Sequence, residues 1–256
     1  MVSEDSDDLP TVELFVQAAP TDKGKKGSSL SGQQWHMALY RLVEMGIIKL
    51  RLTPIAPDYT PEEYRRLDAA RHLPVAWIES GKINNEELSG VAILTTEALY
   101  TFLEKINCRN LDQSLSPLKS LVAEQVYIDL YMNFMDYLHN NNEKPLNAGL
   151  KKLDEFLQHK KTKYFLSNDL TVHDCQLMPK LQQIRVLGHH YKNYDIPTKF
   201  AAIWKYIDLM YETDAFNISC PADIDIIMRF EDKYPDMNAP NPKPKHGESL
   251  RGGPEE

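Results

Sequence analysis

Hydrophobic residues follow two different periods in the two halves of this chain. Up to about residue 106, short runs alternate apolar and polar side chains, which is typical of strands; these runs are 12–18, 48–52, 75–79 and 91–94. Between them, apolar residues recur at helical spacing, first around Trp35, Leu39 and Leu42 and last around Leu99 and Leu103. A short helix is predicted at Thr60-Pro61, since proline favours the first helical position. The predicted order is strand, helix, strand, helix, strand, strand, helix.

Beyond residue 117 the alternation is lost, and only amphipathic helices are predicted. They are 118–139, 146–160, 170–185, 198–211 and 222–234. The first has Val122, Val126, Leu130, Phe134 and Leu138 as its predicted apolar stripe. The sequence therefore indicates an α/β domain followed by an all-helical domain.

The helix predicted at 170–185 begins with a helix-capping signal in the sequence and has apolar residues on several sides. It is therefore expected to form the centre of the second domain. Thr171 and Asp174 have the spacing of a capping box, in which each side chain bonds the other residue's backbone amide. Leu170 and Cys175 can pair as a hydrophobic staple. Pro179 lies inside the pattern and predicts a bend.

Five segments follow from these patterns. Residues 1–10 are predicted to be an acidic tail, 11–106 a thioredoxin-like domain, 107–116 a linker, 117–235 the all-helical domain, and 236–256 a disordered tail rich in proline. The element order of the first domain is that of the thioredoxin-like half of a glutathione-transferase fold. The fold class is thus α/β plus all-α.

Charge and cysteine content exclude several classes of protein. A net charge of −8, with scattered Lys and Arg, argues against nucleic-acid binding. The three cysteines have no paired spacing, and the histidines, including His36 and His173, have no partner ligands in sequence, so neither a disulfide framework nor a metal site is predicted. The acidic N-terminus lacks a secretory signal, which predicts a cytoplasmic protein.

Four runs in the second half identify a family: TVHDCQLMPKLQQIRV, HHYKNYDIP, IWKYIDLMY and SCPADIDII, at 171–186, 189–197, 203–211 and 219–227. They closely resemble the C-terminal domain of the chloride intracellular channel (CLIC) family. The first half resembles it through VELFVQA, the Lys/Gly turn and Leu73-Pro74. The resemblance implies a soluble monomer of glutathione-transferase fold that can enter membranes as an anion channel, with lipid, chloride and cytoskeletal or other proteins as partners. Some members act as glutaredoxin-like oxidoreductases.

The resemblance also implies which residues form the site. Ser29 stands where the family has its reactive cysteine, at a helix start where the dipole lowers a thiol pKa. Since a hydroxyl cannot form a mixed disulfide, glutaredoxin-like activity is not expected. Cys175 and Cys220 are predicted to be buried packing residues, and Cys108 falls in the linker.

The remaining positions of a glutathione site are mixed. Pro74, after Leu73, matches the family's cis-proline; the alternative is an ordinary proline at a strand start. Thr95 and Thr96 match the positions that hold the γ-glutamyl end, but Thr95 lacks a carboxylate, and both could simply be N-caps. Lys25 could attract anions or be merely solvated. Glutathione binding is therefore expected to be weakened, and no cofactor to be required.

The family's proposed membrane-spanning segment corresponds to Ser29–Leu52, which contains Arg41, Glu44, Lys49 and Arg51. Charges near the centre of a span cost about 2.5–3.5 kcal/mol each, so a helix followed by a strand of a soluble fold is the favoured interpretation. Three functions remain open: a membrane-associating protein that carries chloride, a glutathione-binding protein that uses Ser29, and a non-catalytic adaptor.

Overall fold

A computed structural model describes residues 9–67, 72–83, 86–106, 117–245 and 247–250. The chain divides into two compact units, Met1–Cys108 and Arg109–Glu256, and this boundary falls inside the predicted linker 107–116. That linker, Cys108, residues 1–8 of the predicted acidic tail and residues 251–256 lie outside the described residues.

The first unit has the predicted order of elements, with one additional hairpin. The elements are β1 (Thr11–Gln17), α1 (Leu30–Glu44), β2 (Lys49–Ile55), α2 (Glu62–Arg66), β3 (Val75–Ser80), β4 (Lys82–Ile83), β5 (Glu86–Glu87), β6 (Ala92–Ile93) and α3 (Thr96–Lys105). The main sheet has the order β2-β1-β3-β6. Strand β1 runs parallel to β2 and antiparallel to β3, and β6 is antiparallel to β3. Strands β4 and β5 form the hairpin that the sequence did not predict.

The centre of this unit is β1, whose residues 12–16 are all buried. Glu13 is the polar member of that run, and its carboxylate accepts hydrogen bonds from Arg51 at 2.7 Å and from Thr53 at 2.6 Å. A buried carboxylate is tolerated because it is paired. Strand β2 was expected to end before Pro54, but it continues to Ile55 because it is an edge strand, where a missing amide donor is tolerated.

The second unit is helical, as predicted. Its helices are α4 (Pro117–Tyr127), α5 (Leu130–Asn140), α6 (Glu143–His159), α7 (Val172–Lys192), α8 (Ala201–Tyr211), α9 (Asp214–Ser219) and α10 (Asp223–Lys233). Helix α7 buries Leu177, Met178, Leu181 and Ile184 completely and contains Pro179. The thiols of Cys175 and Cys220 are both buried, which confirms the predicted burial of these residues.

The predicted helix 118–139 is wrong as a single element, since α4 ends at Tyr127 and α5 begins at Leu130. The residues of the predicted apolar stripe are four positions apart, and each such step rotates about 40° beyond a full helical turn. One straight helix therefore cannot bury the whole stripe. Val122 is 60% exposed, and Ala123 and Tyr127 are buried instead.

Asn241 and Leu250 of the segment 236–256, which was predicted to be disordered, form hydrogen bonds with the helical unit. Asn241 donates its side-chain amide to the carbonyl of His189 at 2.6 Å and its backbone amide to the carbonyl of His190 at 3.3 Å. The backbone amide of Leu250 donates to Asp223 at 2.7 Å. A proline-rich segment without regular structure can still dock when it donates hydrogen bonds to carbonyls in the last turns of a helix.

Candidate functional site

The turn before α1 is fixed to the end of β1. The backbone amide of Gly27 donates to the carbonyl of Gln17 at 2.6 Å, and that of Ala19 donates to the carbonyl of Lys25 at 2.8 Å. A Cβ atom at position 27 would lie 2.5 Å from the carbonyl oxygen of Ala18, so only glycine fits. This close approach determines where α1 begins.

Ser29 is the N-cap of α1. Its Oγ accepts a hydrogen bond from the backbone amide of Gly32 at 3.3 Å and lies 3.1 Å from the Oγ of Ser31. The prediction that this residue stands at a helix start is confirmed. Its oxygen is a neutral capping acceptor, so the side chain presents a hydroxyl at this helix end.

The two lysines of the turn have different electrostatic partners near this helix end. The ammonium group of Lys25 is exposed and lies 3.4 Å from the carboxylate of Asp22, which offsets part of its charge. Burial, and secondarily the charge of Lys26, lower the pKa of His36 to about 4. His36 is therefore neutral at pH 7 and adds no positive charge.

Sheet topology brings the other predicted positions to one edge. The Leu73-Pro74 bond is cis, as the resemblance implies, and Pro74 immediately precedes β3. Val75 pairs with Phe15 near the end of β1, and Ala76 pairs with Ile93, two residues before Thr95. The end of β1, Pro74 and Thr95 thus share the edge of the sheet from which α1 and α3 start.

The two threonines have different roles. Thr95 is the N-cap of α3, and its hydroxyl accepts from the backbone amide of Ala98 at 3.1 Å. Thr96 is not a cap; its hydroxyl accepts from the indole N–H of Trp35 on α1 at 3.4 Å. The interpretation of both as N-caps holds only for Thr95. The Trp35 contact ties the second turn of α1 to the first residue of α3.

Sequence reasoning missed Gln33, which follows Ser29 by four residues on α1. The residue is 3% exposed, and neither polar atom of its side-chain amide has a hydrogen-bond partner among the described residues. His36, three residues further, is 4% exposed. The spacing 29, 33, 36 places three polar residues along one side of α1, and this spacing is the signal that could have identified them. Within the described ranges, no group of three or more His, Cys, Asp or Glu residues could hold a metal ion.

Comparison with known proteins identifies the family. The chain is 32% identical over 231 residues to the chloride intracellular channel Clic of Drosophila melanogaster. This match covers 88% of this chain and 82% of that protein. It belongs to the chloride intracellular channel family. It is also 28% identical to the chloride intracellular channel exc-4 of Caenorhabditis elegans, over 90% of this chain and 82% of that protein. No family model matches the sequence.

Solved structures agree with this family membership. The crystal structure of the CLIC homologue EXC-4 from C. elegans matches with a TM-score of 0.74 and 26% identity, over 89% of this chain and 87% of that one. Chlamydomonas reinhardtii dehydroascorbate reductase matches with a TM-score of 0.67 and 20% identity, over 86% of this chain and 97% of that one, and it shows the fold alone. The predicted thioredoxin-like domain followed by a helical glutathione-transferase domain is confirmed.

The segment with the proposed membrane span, Ser29–Leu52, forms α1 and β2 in this CLIC protein, which confirms the favoured interpretation of a helix followed by a strand. Within the part of the chain that the structure describes, no helix has the length and apolar character needed to cross a bilayer. Arg41 and Glu44 form an ion pair within α1, with 2.8 Å between the guanidinium and the carboxylate.

Proposed function

We propose that this chain associates with membranes and carries chloride across them. The observation that carries the proposal is the match to proteins named chloride intracellular channels over most of the chain, in D. melanogaster and twice in C. elegans. The third of these, exl-1, is 25% identical over 87% of this chain. Ser29 supports the same proposal from the chemical side, because a hydroxyl at this helix end removes the thiol that a redox function would use.

Entry into a bilayer through Ser29–Leu52 would require β2 to leave the sheet. Strand β2 is an edge strand, so its parallel pairing with β1, over seven residues, is the sheet pairing that must break. That separation would also release Arg51 from Glu13, at 2.7 Å, and from Glu79, at 3.0 Å. Arg41 and Glu44, paired within one helix, can remain together during the transfer and partly offset each other's cost.

Chloride efflux from liposomes tests the proposal. Liposomes loaded with chloride should release it faster with the parent protein than without protein. If Ser29–Leu52 enters the bilayer, Glu44→Gln should bind liposomes better than the parent at neutral pH, because the variant does not carry this carboxylate into the bilayer.

The matched control is Glu62→Gln on α2, outside that segment. Glu62 forms the same kind of intrahelical ion pair, with Arg66 at 2.5 Å, so its loss should leave liposome binding unchanged. No release above the protein-free rate would refute chloride transport. Equal liposome binding by Glu44→Gln and the parent at every pH would refute entry through this segment.

A second candidate function is glutathione binding, favoured by the position of Ser29 at the N-cap of α1 beside the sheet edge that also carries Thr95. Calorimetric titration with glutathione tests it. Thr95→Asp should strengthen any binding by supplying a carboxylate for the amino group of glutathione. No heat of binding with either protein would exclude this function and leave the chloride proposal standing.

A further inference from the structure

A cavity of about 650 Å³ opens in the helical unit beside the end of α6 and one face of α8. Its volume is within the range of small-molecule sites, roughly 300–1,000 Å³. Lys160 and Lys163 line it from the loop after α6, and Lys205 lines it from α8. Leu157 and Leu209 contribute aliphatic surface, so the cavity combines cationic and apolar walls.

The charge of this cavity contrasts with that of the chain. The chain has 37 acidic and 29 basic residues, yet the residues described as lining the cavity include three lysines and no carboxylate. A neighbouring cavity of about 610 Å³ is mixed, since Asp154 and Glu155 line it together with Lys151 and Lys199. The lysines scattered in sequence are therefore concentrated at one site by the fold, which sequence reasoning did not predict.

Lys160 fixes the loop that carries Lys163. Its Nζ donates to the carbonyl oxygens of Thr162 at 2.7 Å, Lys163 at 2.6 Å and Tyr164 at 2.8 Å. These bonds use all three N–H groups, so Lys160 acts on a ligand through its charge and through the shape of the loop. Lys205 is exposed and has no hydrogen-bond or ion-pair partner among the described residues, so its ammonium group is available.

The helix N-terminus at this site does not provide the anion-binding groups. The carboxylate of Asp154 accepts hydrogen bonds from the backbone amides of Ala202 at 2.9 Å and Ile203 at 3.1 Å, so these two amides in the first turn of α8 are engaged. The hydroxyl of Tyr206 is likewise committed, donating to Asp174 at 2.9 Å. Any anion in the cavity must therefore be recognised by the lysines.

We propose that this cavity binds a small amphiphilic anion, with a phosphate or carboxylate headgroup between Lys163 and Lys205 and an aliphatic body against Leu157 and Leu209. The cationic residues favour the headgroup, and the aliphatic residues favour removal of the body from water. The site lies wholly within the helical unit and is independent of the chloride proposal. The same chemistry occurs in a free alkyl phosphate and in a phospholipid.

Calorimetric titration of the full chain with decyl phosphate tests the site. The double variant Lys163→Glu/Lys205→Glu should weaken binding by about tenfold or more, which corresponds to about 1.4 kcal/mol. Added salt should weaken binding to the parent, because the contacts are partly exposed. Lys144→Glu is the matched control, since Lys144 is an exposed lysine in the first turn of the same helix, α6, and does not line the cavity.

Further ligands separate headgroup recognition from simple hydrophobic binding and identify the source of the anion. Decyltrimethylammonium should bind much more weakly than decyl phosphate. Phosphatidylcholine vesicles with and without phosphatidic acid test whether the anion comes from a bilayer. If the vesicles with phosphatidic acid bind the parent but not the double variant, the headgroup belongs to a lipid. If the parent binds decyl phosphate but neither kind of vesicle, the headgroup belongs to a free ligand. Equal affinity of the parent and the double variant for decyl phosphate, equal binding of the cation, or no binding of either anionic probe would overturn the proposal.

Discussion

Removal of the Asp174 side chain should destabilise the helical unit more than the loss of an ordinary helix cap. Both halves of the predicted capping box with Thr171 are present. The carboxylate also accepts hydrogen bonds from the backbone amide of Phe165 and the hydroxyl of Tyr206, both at 2.9 Å. Burial raises the pKa of Asp174, and these bonds oppose the rise.

The magnitude follows from the donors that the substitution leaves behind. Asp174→Ala leaves four donors without their acceptor, each formerly bonded at 2.8–2.9 Å: the backbone amides of Thr171 and Phe165 and the hydroxyls of Thr171 and Tyr206. A buried donor without a partner costs about 1–3 kcal/mol, so a total of about 3–5 kcal/mol is expected where water relieves part of the penalty. Thr171→Ala removes the hydroxyl and the γ-methyl group but leaves the Asp174 carboxylate in place, so it should cost about 0.5–2 kcal/mol.

The double variant should cost less than the sum of the two single variants by about 1 kcal/mol, because both remove the 2.8 Å bond between the Thr171 hydroxyl and Asp174. Urea midpoints measured by circular dichroism provide the three values. Thr213→Ala is the control, since Thr213 caps α9 and shares none of the bonds of Asp174. Its effect should add to that of Asp174→Ala. Strict additivity of Thr171→Ala and Asp174→Ala would refute a reciprocal capping box.

Three other substitutions test separate parts of the structure. Ser29→Cys should create a thiol with a pKa below about 8.5 that takes up glutathione from its disulfide; intact mass and the pH dependence of alkylation measure this, and no adduct would contradict it. Burial lowers the pKa of His173 to about 4. Between about pH 6.5 and 4, His173 therefore binds a proton in the unfolded chain more readily than in the folded one. Its contribution of about 3 kcal/mol to stability should be lost as pH falls through that window. Urea midpoints at neutral and acidic pH should change less in His173→Gln, and an equal pH dependence would contradict the assignment. Asn241→Ala should speed hydrogen exchange at Leu250 by releasing the C-terminal segment from α7; unchanged exchange would contradict its anchoring role.

The sequence could predict features determined by neighbouring residues. The capping box was readable because Thr171 and Asp174 are three positions apart. The cap of α8 was not, since Asp154 reaches the amides of Ala202 and Ile203 from 48 and 49 positions away. The break between Tyr127 and Leu130 has no proline or glycine to mark it. Tertiary packing determines both features. The hydrophobic periodicity of the sequence describes one helix or strand at a time and carries no information about contacts between them.

The candidate site shows the same division between local signals and those that depend on the fold. Ser29, Pro74 and Thr95 were found through the family resemblance, because no local pattern links positions so far apart. The burial of Gln33 was missed because glutamine is usually exposed. Asn241 was missed because composition describes the average behaviour of a segment and not the few hydrogen bonds that hold it.

The geometry at Ser29 separates the stability of α1 from the chemistry expected at its start. Serine is among the preferred N-cap residues and cysteine is not, so the hydroxyl that accepts from Gly32 favours the helix while it withholds a nucleophile. The glycine at position 27, which fixes the preceding turn, does not depend on which atom occupies the cap. Ser29→Cys should therefore keep the fold, gain thiol reactivity and lose part of the capping energy. At this residue, reactivity and stability should change in opposite directions.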